Sequence, residues 1–308
     1  ADWAKARGIS AIALGHTADD QAETLLMRLA RGSGVDGLAA MQPYRLHQGI
    51  TWLRPLLALR RADLRDWLCT LGQDWIEDPT NEDPAYDRVQ ARRALAFLAP
   101  LGVSVDGLVA TAERMRMASE ALSQMARDLA EKATRIDAGD VIIARPQFEA
   151  AADETRYRLL AHALKWVGSA EYRPRFTALK MACDTALQGR RVTLHGCLIM
   201  SAKRELRITR ELAAVADLQN PADALWDNRW RLKGPGADDF STRALGPDGL
   251  ARCPDWRATG LPRATVLAGP SVWKDTHLIA APLAGLTNGW SAELHKNATD
   301  FLKSLIVH

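Results

Sequence analysis

The chain has 308 residues, of which 47% are hydrophobic and 25% charged, with a formal net charge of +3. These are the proportions of an ordinary globular chain long enough for two or three domains, and any affinity for nucleic acid has to come from local patches. Cys69, Cys183, Cys197 and Cys253 form no CxxC pair, so a zinc ribbon, redox or sulfur-relay motif is not supported and a reducing cytoplasm is the expected setting. No run approaches 18 apolar residues and no signal peptide is visible, so no membrane partner is expected.

Asp2 to Arg7 reads as the tail of a helix that feeds a short apolar strand at Ile9–Leu14. That strand is short enough for a buried parallel strand and too short for a helix. A lone strand–helix unit of this kind is not a domain by itself, so the expectation is a sheet that continues elsewhere. Thr17 with Asp20 three residues on predicts a capping box, Asp replacing the usual Glu or Gln. Ala22, Leu25, Leu26 and Leu29 then recur at helical spacing as a core-facing stripe, and Gly32 sits where a left-handed C-cap belongs. The opposite face carries Asp20, Glu23, Met27 and Arg31. His16, Asp19 and Asp20 would lie just past the carboxyl end of a parallel strand, where open α/β sheets hold ligands. Complementing the helix dipole explains Asp19 and Asp20 nearly as well, and His16 with Asp20 alone is weak evidence for a metal.

Trp52-Leu53 reads as a strand end closed by Arg54-Pro55. A helix from about Arg60 to Leu71 places Leu64, Trp67, Leu68 and Leu71 on one face and stops at Gly72. EDPTNEDP (Glu77–Pro84) is a turn-rich loop in which Asp78-Pro79 and Asn81 can bond local backbone. The next helix carries Arg88, Arg92 and Arg93, the first two on a shared face. Val105 to Thr134 is helical, with Leu108, Ala112, Met115, Ala118, Leu122, Met125 and Leu129 forming a stripe best read as core. Helices near Glu154–Trp166 and Arg175–Leu187 follow, then short strands at Arg191–Met200 and Leu206–Arg210. Arg190, Arg191, Lys203, Arg204, Arg207 and Arg210 face only one acid, Glu205, in that stretch. It is either a solvated face or an RNA contact. Beyond Asn220, Trp226, Trp230, Trp256, Trp273 and Trp290 are spread among Pro and Gly, as in the core of a small β-rich domain.

GHTADDQAET, LARGSGVDGLAAM, RPLL and WIEDPTNEDPAYDRVQAR, in this order and spacing, resemble the tRNA(Ile)-lysidine synthase family of PP-loop ATP pyrophosphatases. A fainter echo is GRRVTLHGCLIMSAKRELRITRE, Gly189 to Glu211. The resemblance implies ATP-dependent adenylation of C2 of a wobble cytidine in an isoleucine tRNA with a CAU anticodon. L-lysine then attacks through its ε-amine and AMP leaves, which changes decoding from AUG to AUA. By the family's His-x-x-Asp-Asp-x-x-Glu pattern, His16, Asp20 and Glu23 are catalytic candidates, with Asp20 also a candidate magnesium ligand beside ATP. Arg31 and Gly32 are candidate neighbours of phosphate. Arg54, Arg88, Arg92, Arg204 and Arg207 are candidate tRNA contacts.

Three departures accompany the likeness. Nothing in the chain matches the family's Ser-Gly-Gly-x-Asp-Ser phosphate loop, which implies that an N-terminal part of the PP-loop domain lies outside this sequence and that the chain alone is a poor ATP binder. Val89 replaces an Asn between the two arginines of RVQAR. His195 stands where Gly is usual, and is expected to tighten a turn. The expected fold is therefore α/β: a partial PP-loop parallel-sheet domain over residues 1–100, a mainly helical tRNA-binding domain over 101–215, and a small β-containing C-terminal domain over 216–308. The expected function is an RNA-modifying carbon–nitrogen ligase. A non-catalytic tRNA-binding remnant and a tRNA-thiolating PP-loop enzyme are the alternatives, and the oligomeric state is open, a homodimer being one candidate.

Overall fold

The computed structural model describes residues 1–76, 83, 85–236 and 239–305. The loop at 77–84 therefore lies, apart from Asp83 alone, outside the described residues until Ala85. Contacts divide the chain into two compact units, Ala1–Ala121 and Leu122–His308.

The first unit begins with a short helix α1 (Asp2–Lys5) and strand β1 (Ala11–Ala13), then α2 (Ala18–Ala30) and α3 (Val35–Leu38). A hairpin of β2 (Tyr44–His47) and β3 (Ile50–Leu53) follows, then α4 (Arg61–Thr70), α5 (Asp87–Leu98) and the long α6 (Val105–Ala133). The sheet order is β1-β3-β2, with β1 parallel to β3 in the register Ala11–Thr51 to Ala13–Leu53, and β2 antiparallel to β3. The predicted strand and strand end are thus neighbours. The β2–β3 hairpin turns on Gln48 and Gly49, both at positive φ, the conformation that a two-residue turn between twisted strands requires.

The predicted capping box is present. The Thr17 backbone N–H and hydroxyl both donate to Asp20 Oδ2 at 2.8 Å. Gly32 is left-handed, as a C-terminal stop requires. The apolar stripe of α2 is only partly core. Ala22 and Leu25 are buried, Leu25 clustering with Ala40 and Ala112, but Leu29 is exposed. Conversely Glu23, on the supposedly polar face, is only 1% exposed. The expected core face of α4 is only partly covered: Leu64 and Leu68 are half-buried, but Trp67 and Leu71 are exposed.

The second unit, which takes in the end of α6, holds two layered parts. A five-stranded antiparallel sheet has the order β4-β5-β8-β7-β6, from β4 (Thr134–Asp137), β5 (Asp140–Ala144), β6 (Val192–Leu194), β7 (Cys197–Ser201) and β8 (Glu205–Arg210). Helices α7 (Arg145–Ala150), α8 (Asp153–Val167) and α9 (Phe176–Leu187) interrupt its strands, and Leu159, Leu160, Leu164, Ile199, Leu206 and Ile208 are in its core. The β4–β5 hairpin is an element the sequence pattern does not announce. His195 and Gly196 are both at positive φ in the β6–β7 turn, so the His in place of Gly occupies a left-handed position.

The remainder is β-rich: β9 (Gln219–Pro221), β10 (Trp230–Lys233), β11 (Ser241–Ala244), β12 (Pro270–Lys274), β13 (His277–Ala280) and β14 (Ser291–Leu294), before a final helix α10 (Ala298–Ser304). Its sheets are β13-β12-β11-β9 and β10-β14. Trp226, Trp230, Trp273 and Trp290 are buried there and Trp256 is half-buried, so the tryptophans serve packing.

The final helix is docked through a buried histidine. His162 Nε2 donates to the Phe301 carbonyl at 3.0 Å, and the Ser304 hydroxyl lies 3.2 Å from the same nitrogen. Burial pushes the imidazole down to about 4, against a partial pull upward from the Phe301 carbonyl. The folded value lies below the unfolded one, so the neutral ring's contribution is complete above the unfolded pKa of about 6.5 and is lost as pH falls toward 4. The melting temperature of the chain should therefore fall over that window, and less steeply in His162→Gln. Equal pH slopes for the two proteins would contradict this role.

Candidate active site

The site is built where β1 ends. Gly15, His16 and Thr17 turn the chain into α2, whose first two turns present Asp19, Asp20 and Glu23. Asp19 proves to be a brace. Its Oδ2 accepts the Arg61 backbone N–H at 2.7 Å and its Oδ1 lies 3.4 Å from the Arg60 guanidinium. It thereby caps the N-terminus of α4, where an unpaired N–H needs an acceptor.

With α4 so placed, the Arg61 guanidinium lies 3.6 Å from Asp20 Oδ1 and 4.0 Å from Glu23 Oε1. From α5, Arg88 reaches Asp20 Oδ1 at 3.3 Å and Arg92 reaches Glu23 Oε1 at 3.0 Å. Asp20, Arg61, Arg88 and Arg92 line an open cleft of about 600 Å³, with buried Val89 in its wall. Glu23 does not line it; the carboxylate sits behind the arginines, and its Oε2 accepts no hydrogen bond although buried. A buried oxygen without a donor is costly, and both cationic neighbours of this carboxylate approach it at Oε1. His16 Nδ1 is buried and unpartnered as well.

The electrostatics differ among these groups. Burial raises the Asp20 carboxyl, but the Thr17 hydrogen bonds and then Arg61 and Arg88 outweigh it and hold the group below its ordinary range. Burial lowers His16; Asp20 opposes this, while Arg88 and Arg54 reinforce it. Asp20 is thus suited to hold a cation, and His16 to stay neutral with a lone pair available. Arg54 donates to the Gln42 carbonyl at 2.9 Å, and burial, then Arg45, lowers its pKa.

The other expected site residues are dispersed by circumstance. Arg31 pairs with Asp87 at 2.7 Å on the surface, next to left-handed Gly32. The basic run of the second unit divides. Arg190, Arg191, Lys203 and Arg204 are exposed. Arg207 is buried, at 2.8 Å from Asp140 and 2.7 Å from Asp137, and Arg210 forms a two-pronged pair with Asp227 at 3.0 Å. Arg207 is therefore committed to the fold and not to an RNA-facing surface. Sequence reasoning missed Arg60 and Arg61, because their carboxylate partners lie about forty positions earlier; the basic pair at the start of a predicted helix was the available signal.

Residues 1–98 match the family model described as a PP-loop domain. A tRNA(Ile)-lysidine synthase of Ruegeria pomeroyi is 50% identical over 307 residues, covering 100% of this chain and 73% of that protein. The chain belongs to the tRNA(Ile)-lysidine synthase family. Its namesake in Anaplasma marginale is 30% identical over 240 residues, 75% of this chain and 52% of that protein. One from a Bradyrhizobium strain is 40% identical over 176 residues, 54% of this chain and 49% of that protein. The chain thus spans about three quarters of the first of these lysidine synthases and about half of the other two. Membership brings with it the ATP use of the PP-loop class.

Asp20, the candidate magnesium ligand, already has both oxygens engaged. One oxygen is occupied by Thr17 and the other faces two guanidiniums, and no cluster of three His, Cys, Asp or Glu able to hold a metal exists among the described residues. Burial pushes the thiols of Cys183 and Cys197 up to about 11 and 12, so these two are poorly suited to sulfur transfer. Among the described residues no single helix is long and apolar enough to cross a membrane.

Proposed function

We propose that the cleft between α2, α4 and α5 is the lysine-accepting site of a tRNA(Ile)-lysidine synthase. In this reading ATP adenylates the C2 oxygen of the wobble cytidine in an isoleucine tRNA with a CAU anticodon, and pyrophosphate leaves. The lysine ε-amine then forms a bond to C2 as the C2–O bond to AMP breaks. The observation that carries it is Glu23: a buried carboxylate whose Oε2 has no hydrogen-bond partner, one turn from Asp20 on α2.

Asp20 and Glu23 hold the ammonium, and a proton must leave it before the nitrogen can attack. His16, neutral and with Nδ1 unpartnered, is the acceptor in reach of Asp20's field. Arg88 and Arg92, both half-exposed, take RNA phosphates at the mouth through charge-assisted bonds. Arg54 supports them. Arg31, with Gly32, is assigned to the nucleotide phosphates, for which it would exchange its surface pair with Asp87. The assay is incorporation of labelled lysine into an unmodified isoleucine tRNA transcript by the complete gene product that contains these 308 residues. ATP- and lysine-dependent labelling supports the reading. RNA binding without labelling would favour the non-catalytic alternative.

The exposed Lys203 and Arg204 at the β7–β8 turn are proposed as a separate phosphate-binding point. Replacing both by Ala should weaken tRNA binding and reduce the log–log salt slope by about one for each phosphate that is no longer neutralised. An unchanged slope would return that turn to an ordinary solvated surface.

A further inference from the structure

The cleft is occupied by its own arginines. Asp20 is flanked by Arg61 and Arg88, Glu23 by Arg61 and Arg92, so three guanidiniums already serve two carboxylates. A lysine ammonium entering this arrangement would be a fourth cation beside Asp20 and Glu23 in a partly buried space. Like charges at these separations repel strongly where the effective dielectric is low. Geometry leads to the same conclusion, because Arg92 holds Glu23 Oε1 at 3.0 Å and Glu23 has no face on the cleft. In the conformation described, the amine cannot reach the carboxylate it needs.

We infer that Arg88 and Arg92 form a charge latch over the lysine site, opened when RNA phosphates draw the two guanidiniums outward. This rests on the reading of Asp20 and Glu23 as the lysine site. Both latch side chains are half-exposed on one face of α5 and so can exchange partners, whereas Asp20 and Glu23 are fixed and buried on α2. Once phosphates hold Arg88 and Arg92, Arg61 and the ammonium remain beside the two carboxylates. Free lysine then binds poorly until the correct RNA is in place, which would protect the amine from unproductive chemistry. Thermodynamic reciprocity requires lysine to tighten RNA binding by the same factor.

The test is equilibrium dialysis of labelled L-lysine against the complete gene product, without ATP so that no reaction occurs. Unmodified isoleucine tRNA should tighten lysine binding on the order of ten-fold, within the usual range of site–site coupling. Arg92→Gln should show the tightened value without RNA and gain little more when RNA is added. Should Arg92→Gln melt early, Arg88→Gln carries the same measurement. Lysine binding that is unchanged or weaker in both variants, with lysine still preferred over norleucine, overturns the latch alone. No lysine binding by any form, with or without RNA, overturns both the latch and the lysine site beneath it.

Discussion

Glu23→Gln in the complete gene product should lower lysine incorporation on the order of a hundred-fold or more, the usual range for losing a charged group that acts on a transferring proton or its carrier. Gln retains the shape and can still bond Arg92, but the buried negative charge that faces no protein donor at Oε2 is gone. Asp20→Asn is the companion variant. Its remaining carbonyl oxygen can accept both Thr17 bonds, so the helix cap survives, since Asn caps about as well as Asp. If Asp20 only capped α2, activity would hardly change; as part of the lysine site it should fall by a similar factor. Following pyrophosphate release separately from lysine incorporation divides the steps. Loss of incorporation with adenylation preserved places both residues in the second step. Near-wild-type rates with a normal melting temperature would defeat the assignment.

Arg207→Ala should destabilise the second unit by about 3–5 kcal/mol, because removing one partner leaves Asp140 as an uncompensated buried charge. Asp140 is 2% exposed; Arg207 and, at 2.6 Å, the Thr265 hydroxyl bond one of its oxygens, and Thr209 also bonds the carboxyl. For a unit of this size that corresponds to a fall in melting temperature of roughly 10 °C. Asp140→Asn with Arg207→Ala should recover part of it, since the buried charge is removed with its partner. A melting temperature within a degree or two of the parent would show that the pair is solvated and would restore Arg207 as an RNA contact.

These two outcomes mark what the sequence could convey. Local rules worked where partners are near in the chain: the Thr17–Asp20 cap, the Gly32 stop and the strand ending at the Gly15–Thr17 turn are all set within a few residues. The placement of His16, Asp19 and Asp20 just past the carboxyl end of a parallel strand followed from the same short stretch. What failed was anything fixed by a second surface. In ELRITR the alternation puts Leu206 and Ile208 on one face and Arg207 and Thr209 on the other, as in a half-exposed strand. Both faces are covered, because Asp140 and Thr265 come from distant segments to meet the polar side. The apolar face of α4 fails in the opposite sense: Trp67 and Leu71 have the right spacing and no partner surface among the described residues. The arginine cover over Glu23 was equally hidden, since Arg61 and Arg92 come from two other helices. The β4–β5 hairpin escaped because its strand Asp140–Ala144 is buried and lacks alternation, while its turn at Ala138-Gly139, both at positive φ, is a weak signal.

The role of the cleft turns on whether Asp20 and Glu23 recognise the ε-ammonium of lysine. Equilibrium binding of L-lysine and of norleucine, which lacks that ammonium, should be compared in the parent protein and in Glu23→Gln with isoleucine tRNA present. The expected result is a clear preference for lysine in the parent and its near-complete loss in the variant. An undiminished preference in a folded Glu23→Gln protein would contradict it.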